Sequence, residues 1–261
     1  MIGVFDSGIG GLTVVKKIFE FLPEYQVLYF GDTARTPYGN RGKEVVKKYA
    51  LEAAEILIKN GAKIIVIACN TASALAADFL REKIKMPIFE VVTPTVDKAL
   101  QVTRRQRIGV IGTRATVNSK IYEKLIKARD KKAQVFQNSA PLLVPLVEEG
   151  WLNKPETKMI IKKYLLPFKL QQVDTLILAC THYPFLHQII QQKMGRQVKL
   201  INPGEETILS LKNFLNQHPK IAQSLPKNNQ HRFLVSDAND KFRQLAVNWL
   251  GQKIKLEEVK I

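Results

Sequence analysis

Cysteine is scarce in this chain, with two among 261 residues. Two are too few for the disulfide framework of a small secreted domain, so we expect a reducing compartment. Hydrophobic residues make up 46% of the sequence, but no apolar run approaches the roughly 20 residues that a membrane span needs. The first residues also lack the basic segment and cleavage site of a signal peptide. We therefore expect a cytoplasmic protein without membrane contact.

Acidic residues are in the minority, with 23 Asp and Glu against 40 Lys and Arg, which gives a formal net charge of +17. Such an excess can indicate nucleic-acid binding. The basic residues are spread along predicted helices, however, and short clusters such as Arg104 to Arg107 contain no aromatic side chains that could stack on bases. We favour a solvated basic surface, able to attract a small anionic substrate, over nucleic-acid contact.

Short aliphatic runs alternate with amphipathic helical segments along the chain. Ile2 to Phe5 predicts a strand, followed by a glycine-rich turn and a helix, and further strand–helix pairs follow with short links. This alternation predicts a parallel, doubly wound sheet. A second copy of the pattern begins near Val96. Ile108 to Thr113, like Ile2 to Ser7, starts with Ile-Gly-Val and ends in a hydroxyl residue.

Two similar halves follow from this repeat. We predict an α/β fold of two doubly wound domains with parallel sheets, related by a pseudo-two-fold axis, with the active site in the cleft between them. The last segment, with a helix from Asn239 to Leu250, is too short for a domain and is expected to pack on the first half. The predicted first domain is therefore discontinuous and comprises residues 1–95 and 208–261, and the second comprises residues 96–207.

The two cysteines occupy equivalent places in the two halves. Cys69 follows the aliphatic run Ile64 to Ala68, and Cys180 follows the run Thr175 to Ala179. In both runs a buried strand ends in Ala-Cys and a polar residue comes next. Because ligands of such sheets bind outside the carboxyl ends of the strands, the two sulfurs are expected to flank one cleft.

Two thiols on opposite sides of one carbon atom can invert a stereocentre without a cofactor. Cys69 would take or return a proton on one face, and Cys180 on the other. Each thiol would need a pKa close enough to the working pH to act as both acid and base. We expect the predicted helix starts after both cysteines to lower their pKa, because the unpaired N–H groups there favour a thiolate.

Polar residues around the cysteines suit ligand binding. Asn70, Thr71 and Thr181 can cap helices or bind a ligand, and His182 can tune Cys180 or polarise a carboxylate. The turn from Asp6 to Gly11 could bring backbone N–H groups to an anion, although Asp6 could also serve as a simple turn cap. The turn lacks the third glycine of a dinucleotide-binding fingerprint.

Other uses of the cysteines are less well supported. A zinc site would need a close Cys/His cluster, which the sequence lacks. A redox dithiol would usually have the spacing Cys-x-x-Cys, which is also absent. No metal and no cofactor are therefore expected.

Several motifs follow one another in a recognisable order, at residues 2–12, 31–33, 37–39, 68–72, 111–113, 143–148, 179–184 and 202–207. In this order they resemble the bacterial glutamate racemases of the cofactor-independent aspartate/glutamate racemase superfamily. The resemblance implies interconversion of L- and D-glutamate, with D-glutamate supplied to peptidoglycan synthesis, and a homodimer. The nearest alternatives are an aspartate racemase and a one-thiol decarboxylase; two cysteines argue against the latter, and pocket size must decide between aspartate and glutamate.

The resemblance also implies roles for individual residues. Cys69 and Cys180 correspond to the proton-transfer thiols, the first serving D-glutamate and the second L-glutamate. Asp6 and His182 correspond to their polar assistants, and Glu148 is a further candidate that could instead be a solvated helix-end acid. The segments that would hold the substrate's carboxylates and ammonium contribute Asp6, Ser7, Tyr38, Gly39, Asn70, Thr71, Thr181 and His182.

Overall fold

The computed structural model describes residues 1–238 and 240–261, so Asn239, the predicted start of the last helix, lies outside the described residues. The strands are β1 (Ile2–Asp6), β2 (Val27–Gly31), β3 (Ile64–Ile67), β4 (Ile88–Glu90), β5 (Arg107–Gly112), β6 (Gln134–Ser139), β7 (Thr175–Ala179), β8 (Lys199–Ile201), β9 (Arg232–Val235) and β10 (Leu256–Glu258). The α-helices are α1 (Leu12–Phe21), α2 (Lys43–Lys59), α3 (Asn70–Lys83), α4 (Thr93–Val102), α5 (Arg114–Ser119), α6 (Ile121–Arg129), α7 (Leu143–Glu148), α8 (Pro155–Leu170), α9 (His187–Met194), α10 (Pro203–Gln217), α11 (Pro219–Ser224) and α12 (Asp240–Leu250).

The strands form two parallel sheets, which confirms the predicted fold class. The first sheet has the order β10-β9-β2-β1-β3-β4, and the second has the order β6-β5-β7-β8. Strands β2-β1-β3-β4 of the first sheet and all four strands of the second therefore follow the same order. In both sheets the order reverses beside the first strand of the set, between β1 and β3 and between β5 and β7. Such a switch point opens a crevice at the carboxyl ends of the strands.

The end of the chain returns to the first sheet. Strand β9 pairs with β2, and β10 pairs with β9, both in parallel. We call the elements around the first sheet the first half and those around the second sheet the second half. The predicted boundaries at 95/96 and 207/208 fall within α4 and α10, which pack against each other. The exact division into domains stays a prediction.

The strands that lead to the cysteines are buried along their whole length. All four residues of β3 and all five of β7 are buried, because helices cover both faces of each sheet. Full burial of each aliphatic side chain contributes about 1.5–3 kcal/mol. The largest apolar cluster contains residues of both halves, including Val66 of β3 and Leu178 of β7. The core thus extends through both halves and supports both cysteine strands.

Helix α2 covers the first sheet with an alanine-rich face. Its buried residues include Ala50, Ala53 and Leu57, whose spacing matches one side of a helix. The helix stops before Gly61, which has φ +91°, a conformation that glycine adopts without strain. Within residues 1–238 and 240–261, none of the helices combines the length and apolar character needed to cross a membrane.

Candidate active site

The two thiols line one cavity at the carboxyl ends of β3 and β7. Cys69 directly follows Ala68 and is the N-cap of α3, whereas Cys180 directly follows β7. Both are free cysteines, and they are 5% and 6% exposed. The other residues that line the cavity are Ser7, Thr36, Pro37, Gly39, Asn70, Thr71, Thr113, Val144, Thr181 and His182. The predicted convergence of the two sulfurs on one cleft is thus present in the fold.

The cavity between the thiols is narrow. Its volume is about 20 Å³, which is enough for a water molecule and too little for an amino acid. Both halves contribute walls to it, because Cys69 follows β3 and Cys180 follows β7. A ligand of amino-acid size can therefore enter only if the two halves move apart or the lining side chains rearrange.

Cys180 is linked to a buried histidine and, through it, to a carboxylate. The Cys180 Sγ atom lies 3.8 Å from His182 Nδ1, and His182 Nε2 lies 3.0 Å from Glu148 Oε1. Burial by itself lowers the pKa of His182, but the hydrogen bonds to Cys180 and Glu148 outweigh it and raise the pKa to about 10. The imidazole is therefore protonated at neutral pH, and it places a positive charge beside the Cys180 sulfur.

Cys69 has the opposite electrostatic environment. Its Sγ atom lies 3.6 Å from Ser7 Oγ. Burial, reinforced by the negative charge of Asp6, raises the pKa of Cys69 to about 12, although the Ala72 N–H at the start of α3 opposes the change. The lower pKa that we expected from the helix start is therefore wrong for Cys69, because desolvation outweighs the helix terminus. At neutral pH Cys69 carries its proton.

Asp6 lies behind the cavity wall at the end of β1. It is fully buried, and it accepts hydrogen bonds from the Gly8 N–H at 3.1 Å and from Thr181 Oγ1 at 3.5 Å. Burial raises its pKa, and the positive charge of His182 and nearby backbone N–H groups partly offset that rise. Asp6 is thus placed to act on the electrostatics of Cys69 and to connect the two halves through Thr181.

The start of α3 meets the second half through hydroxyl and amide groups. Thr71 Oγ1 lies 2.9 Å from Thr113 Oγ1 and 3.2 Å from Thr116 Oγ1, and the latter two are 3.0 Å apart. Asn70 Oδ1 accepts a hydrogen bond of 2.6 Å from the Tyr122 hydroxyl. Thr113, Thr116 and Tyr122 were missed as site residues by the sequence reasoning. For Thr113 a signal existed, because the internal repeat aligns it with Ser7.

Tyr38 turns away from the cavity. Its side chain is fully buried, and its hydroxyl donates to Asp32 Oδ2. Asp32 also accepts hydrogen bonds from Arg35 Nε at 2.7 Å and from Ser236 Oγ at 2.9 Å. Tyr38 therefore holds the loop that carries Gly39, and Gly39 itself lines the cavity.

Close approach of the halves requires glycine at two positions. A Cβ atom at Gly39 would lie 2.7 Å from Thr113 Cβ. A Cβ atom at Gly10 would lie 2.7 Å from both Cε1 and Nδ1 of His182, and closer still to Thr181 Oγ1. Since real Cβ atoms keep greater distances, any larger residue would displace these side chains or push the two halves apart at the site.

The structure thus brings most of the predicted residues to one place. Three of them do not line the small cavity: Asp6 and Tyr38 lie behind its wall, and Glu148 reaches it through His182. Where the chain is described, no group of three or more His, Cys, Asp or Glu side chains is arranged to hold a metal ion.

Comparisons with known proteins agree with this architecture. Residues 2–210 match the family model described as Asp/Glu/Hydantoin racemase. The chain is 41% identical to the glutamate racemase of Geobacter metallireducens, over 97% of this chain and 93% of the relative. It is also 41% identical to that of Listeria monocytogenes, over 100% of this chain and 98% of the relative.

Solved structures show the same fold. A crystal structure of a glutamate racemase isoform from Bacillus anthracis has a TM-score of 0.94 at 38% identity and covers 100% of this chain and 97% of the other. The glutamate racemase of Francisella tularensis, solved in complex with D-glutamate, has a TM-score of 0.92 at 38% identity and covers 99% of this chain and 97% of the other.

Proposed function

The chain belongs to the Asp/Glu/hydantoin racemase family, and from this premise we propose that it is a glutamate racemase whose α-proton transfer uses Cys69 and Cys180. One observation carries the proposal: two buried thiols, at matching ends of two strands of the same topology, line a single cavity. Relatives of about 41% identity over nearly the whole chain are glutamate racemases, and a structural relative binds D-glutamate.

The different environments of the two thiols support a separate role for each in the conversion of L-glutamate to D-glutamate. Cys180, beside the protonated His182, takes the α-proton of L-glutamate as a thiolate. Cys69, which carries its proton, donates that proton to the opposite face of the α-carbon and produces D-glutamate. The transfer leaves a thiol at Cys180 and a thiolate at Cys69, and the reverse reaction starts from this state. Asp6 and His182–Glu148 serve as the polar partners of the respective thiols.

Neutral and cationic donors around the cavity suit a dicarboxylate substrate. Hydroxyl and amide groups of Ser7, Asn70, Thr71 and Thr181 line the cavity, and we assign them to the substrate's carboxylates and ammonium. Hydrogen bonds to the α-carboxylate would strengthen as negative charge develops at the α-carbon. The role in peptidoglycan synthesis and the homodimer, which the resemblance implies, belong to this proposal as well. So does the cytoplasmic location that we expect from the composition of the sequence.

The test is α-proton exchange in D₂O, followed together with inversion. Purified protein is incubated with L- or D-glutamate, without added cofactor, while deuterium at the α-carbon and optical rotation are recorded. We expect both signals from the unchanged protein. We expect Cys69→Ser and Cys180→Ser to lose inversion by about 10²–10⁴-fold, the contribution of a positioned acid or base.

Residual exchange distinguishes two thiols from one. Cys180→Ser should retain slow exchange with D-glutamate alone, and Cys69→Ser with L-glutamate alone, because each variant keeps one of the two bases. Inversion at an unchanged rate in either variant would refute the two-thiol mechanism. Exchange with aspartate in place of glutamate would keep the mechanism and change the substrate.

A further inference from the structure

Tyr122 reaches from the core of the second half to the start of α3 in the first half. Its ring is fully buried in a cluster that includes Val110 of β5 and Ile126 of α6. Its hydroxyl lies 2.6 Å from Oδ1 of Asn70, which is 3% exposed and lines the cavity beside Cys69. A buried phenol of the second half therefore contacts a candidate ligand-binding side chain of the first.

The structure orients the Asn70 amide with its oxygen toward Tyr122. A carboxamide oxygen only accepts hydrogen bonds, so the Tyr122 hydroxyl must be the donor, and the Asn70 NH₂ group points the other way. Within the described residues, the Asn70 NH₂ group has no protein acceptor at hydrogen-bond distance. Two N–H donors are thus free to meet an anionic group in the cavity.

We propose that Tyr122 is a positioning residue for substrate binding, whose hydroxyl holds the Asn70 carboxamide with its NH₂ group toward a carboxylate of the substrate. This inference rests on the proposed function, which supplies the dicarboxylate ligand. With the amide reversed, its oxygen would face the carboxylate, and two acceptors would repel each other. Reversal would also leave the buried Tyr122 O–H without its acceptor, because the phenol would then only accept a hydrogen bond from the NH₂ group.

Two features keep the Tyr122 hydroxyl protonated and directed at Asn70. Burial, followed by the charges of Glu90 and Cys180, holds the pKa of Tyr122 well above its ordinary range, so the phenol keeps its proton at any working pH. The ring is also held by the packed core of the second half, which leaves the hydroxyl little freedom to rotate away. The hydrogen bond also joins the two halves, since Tyr122 belongs to the second and Asn70 to the first.

A double-mutant cycle tests this assignment. The variants are Tyr122→Phe, Asn70→Ala and the double variant, and the readouts are the Kd of glutamate by calorimetry together with KM and kcat. Tyr122→Phe keeps the buried ring and removes the donor. We expect Kd and KM to rise about tenfold, as for a lost hydrogen bond that orients a group toward a charge, and kcat to stay within about threefold. The double variant should bind no more weakly than Asn70→Ala, because Tyr122 acts through Asn70.

Two further variants separate this role from a structural one. Thr157→Val is the control, because Thr157 is also fully buried and donates to the Trp151 carbonyl at 2.6 Å, away from the cavity; we expect unchanged Kd. Asn70→Asp keeps an oxygen for Tyr122 but places a negative charge toward the substrate, and it should bind glutamate more weakly than Asn70→Ala does.

Each outcome decides the inference. Additive losses in the cycle, an unchanged Kd in Tyr122→Phe, or normal binding by Asn70→Asp would overturn it. If the unchanged protein binds glutamate without inverting it, the proposed function fails, and the cycle is still read from Kd. If the unchanged protein neither binds nor inverts glutamate, both the proposed function and the inference about Tyr122 are wrong.

Discussion

Replacing Glu148 by Gln should move the alkaline limit of activity to lower pH. Glu148 Oε1 lies 3.0 Å from His182 Nε2, and this contact helps to hold the pKa of His182 at about 10. A hydrogen bond to a charged group contributes about 1.5–3 kcal/mol, and a pKa unit corresponds to about 1.4 kcal/mol. The pKa of His182 should therefore fall by about one to two units in the variant.

The sign of the effect on activity follows from the role of the imidazolium. The imidazolium places a positive charge beside the Cys180 sulfur, which gains and loses negative charge during proton transfer. Activity should therefore fall as pH rises through the pKa of His182. With that pKa lowered by one to two units, kcat/KM at about pH 9.5 should be about 3- to 25-fold below that of the unchanged protein, whereas the loss at pH 7 should be small.

The assay is the pH profile of kcat/KM, which reports the free enzyme, recorded by circular dichroism between about pH 6 and pH 11. L- and D-glutamate have equal free energies in water, so kcat/KM must change by the same factor in both directions. Glu149→Gln is the matched control, because it removes an exposed carboxylate one residue further on. An alkaline limit that does not move in Glu148→Gln, or that moves equally in Glu149→Gln, would refute the assignment.

Two more substitutions test the packing and the charge of the site. Gly10→Ala places a methyl group within 2.7 Å of the His182 ring, and we expect a loss of about 1–3 kcal/mol in stability and about 10²-fold in kcat/KM. The control Gly42→Ala has nothing within 4 Å of the new Cβ, although alanine is less favourable than glycine at this N-cap of α2. Gly42→Ala should therefore leave kcat/KM unchanged, and an equal loss of kcat/KM in the two variants would contradict the close approach. Asp6→Asn removes a charge that raises the pKa of Cys69. We therefore expect that, in a Cys180→Ser background, the ultraviolet absorbance of the Cys69 thiolate appears at lower pH than in Cys180→Ser alone. An unchanged titration would show that Asp6 does not act on Cys69.

The local pattern of the sequence was enough to predict the fold class. Runs such as Ile64 to Ile67 are aliphatic throughout, and a strand covered on both faces by helices requires this composition. The repeat of Ile2 to Ser7 at Ile108 to Thr113 predicted two sheets of the same design, and the shared strand order confirms it. The position of each cysteine at a strand end was visible for the same reason, since it depends only on neighbours in the chain.

Contacts between distant segments could not be predicted in this way. Tyr122 meets Asn70 across 52 positions of sequence, and nothing near either residue indicates the other. Tyr38 belongs to a motif of the resemblance, yet its hydroxyl bonds to Asp32 instead of lining the cavity. Hydrogen-bond partners are chosen by packing, and packing depends on how the two halves come together.

The pKa of Cys69 separates most clearly what the sequence determines from what only the tertiary structure decides. By itself the sequence determined two strands that end in Ala-Cys, the polar residues after them and the family to which they belong. It indicated a lower pKa for Cys69 from the helix start, but burial raises that pKa instead. Only the tertiary structure decided this, because desolvation is the sum of contacts with atoms from the whole fold, whereas a helix terminus is a local feature.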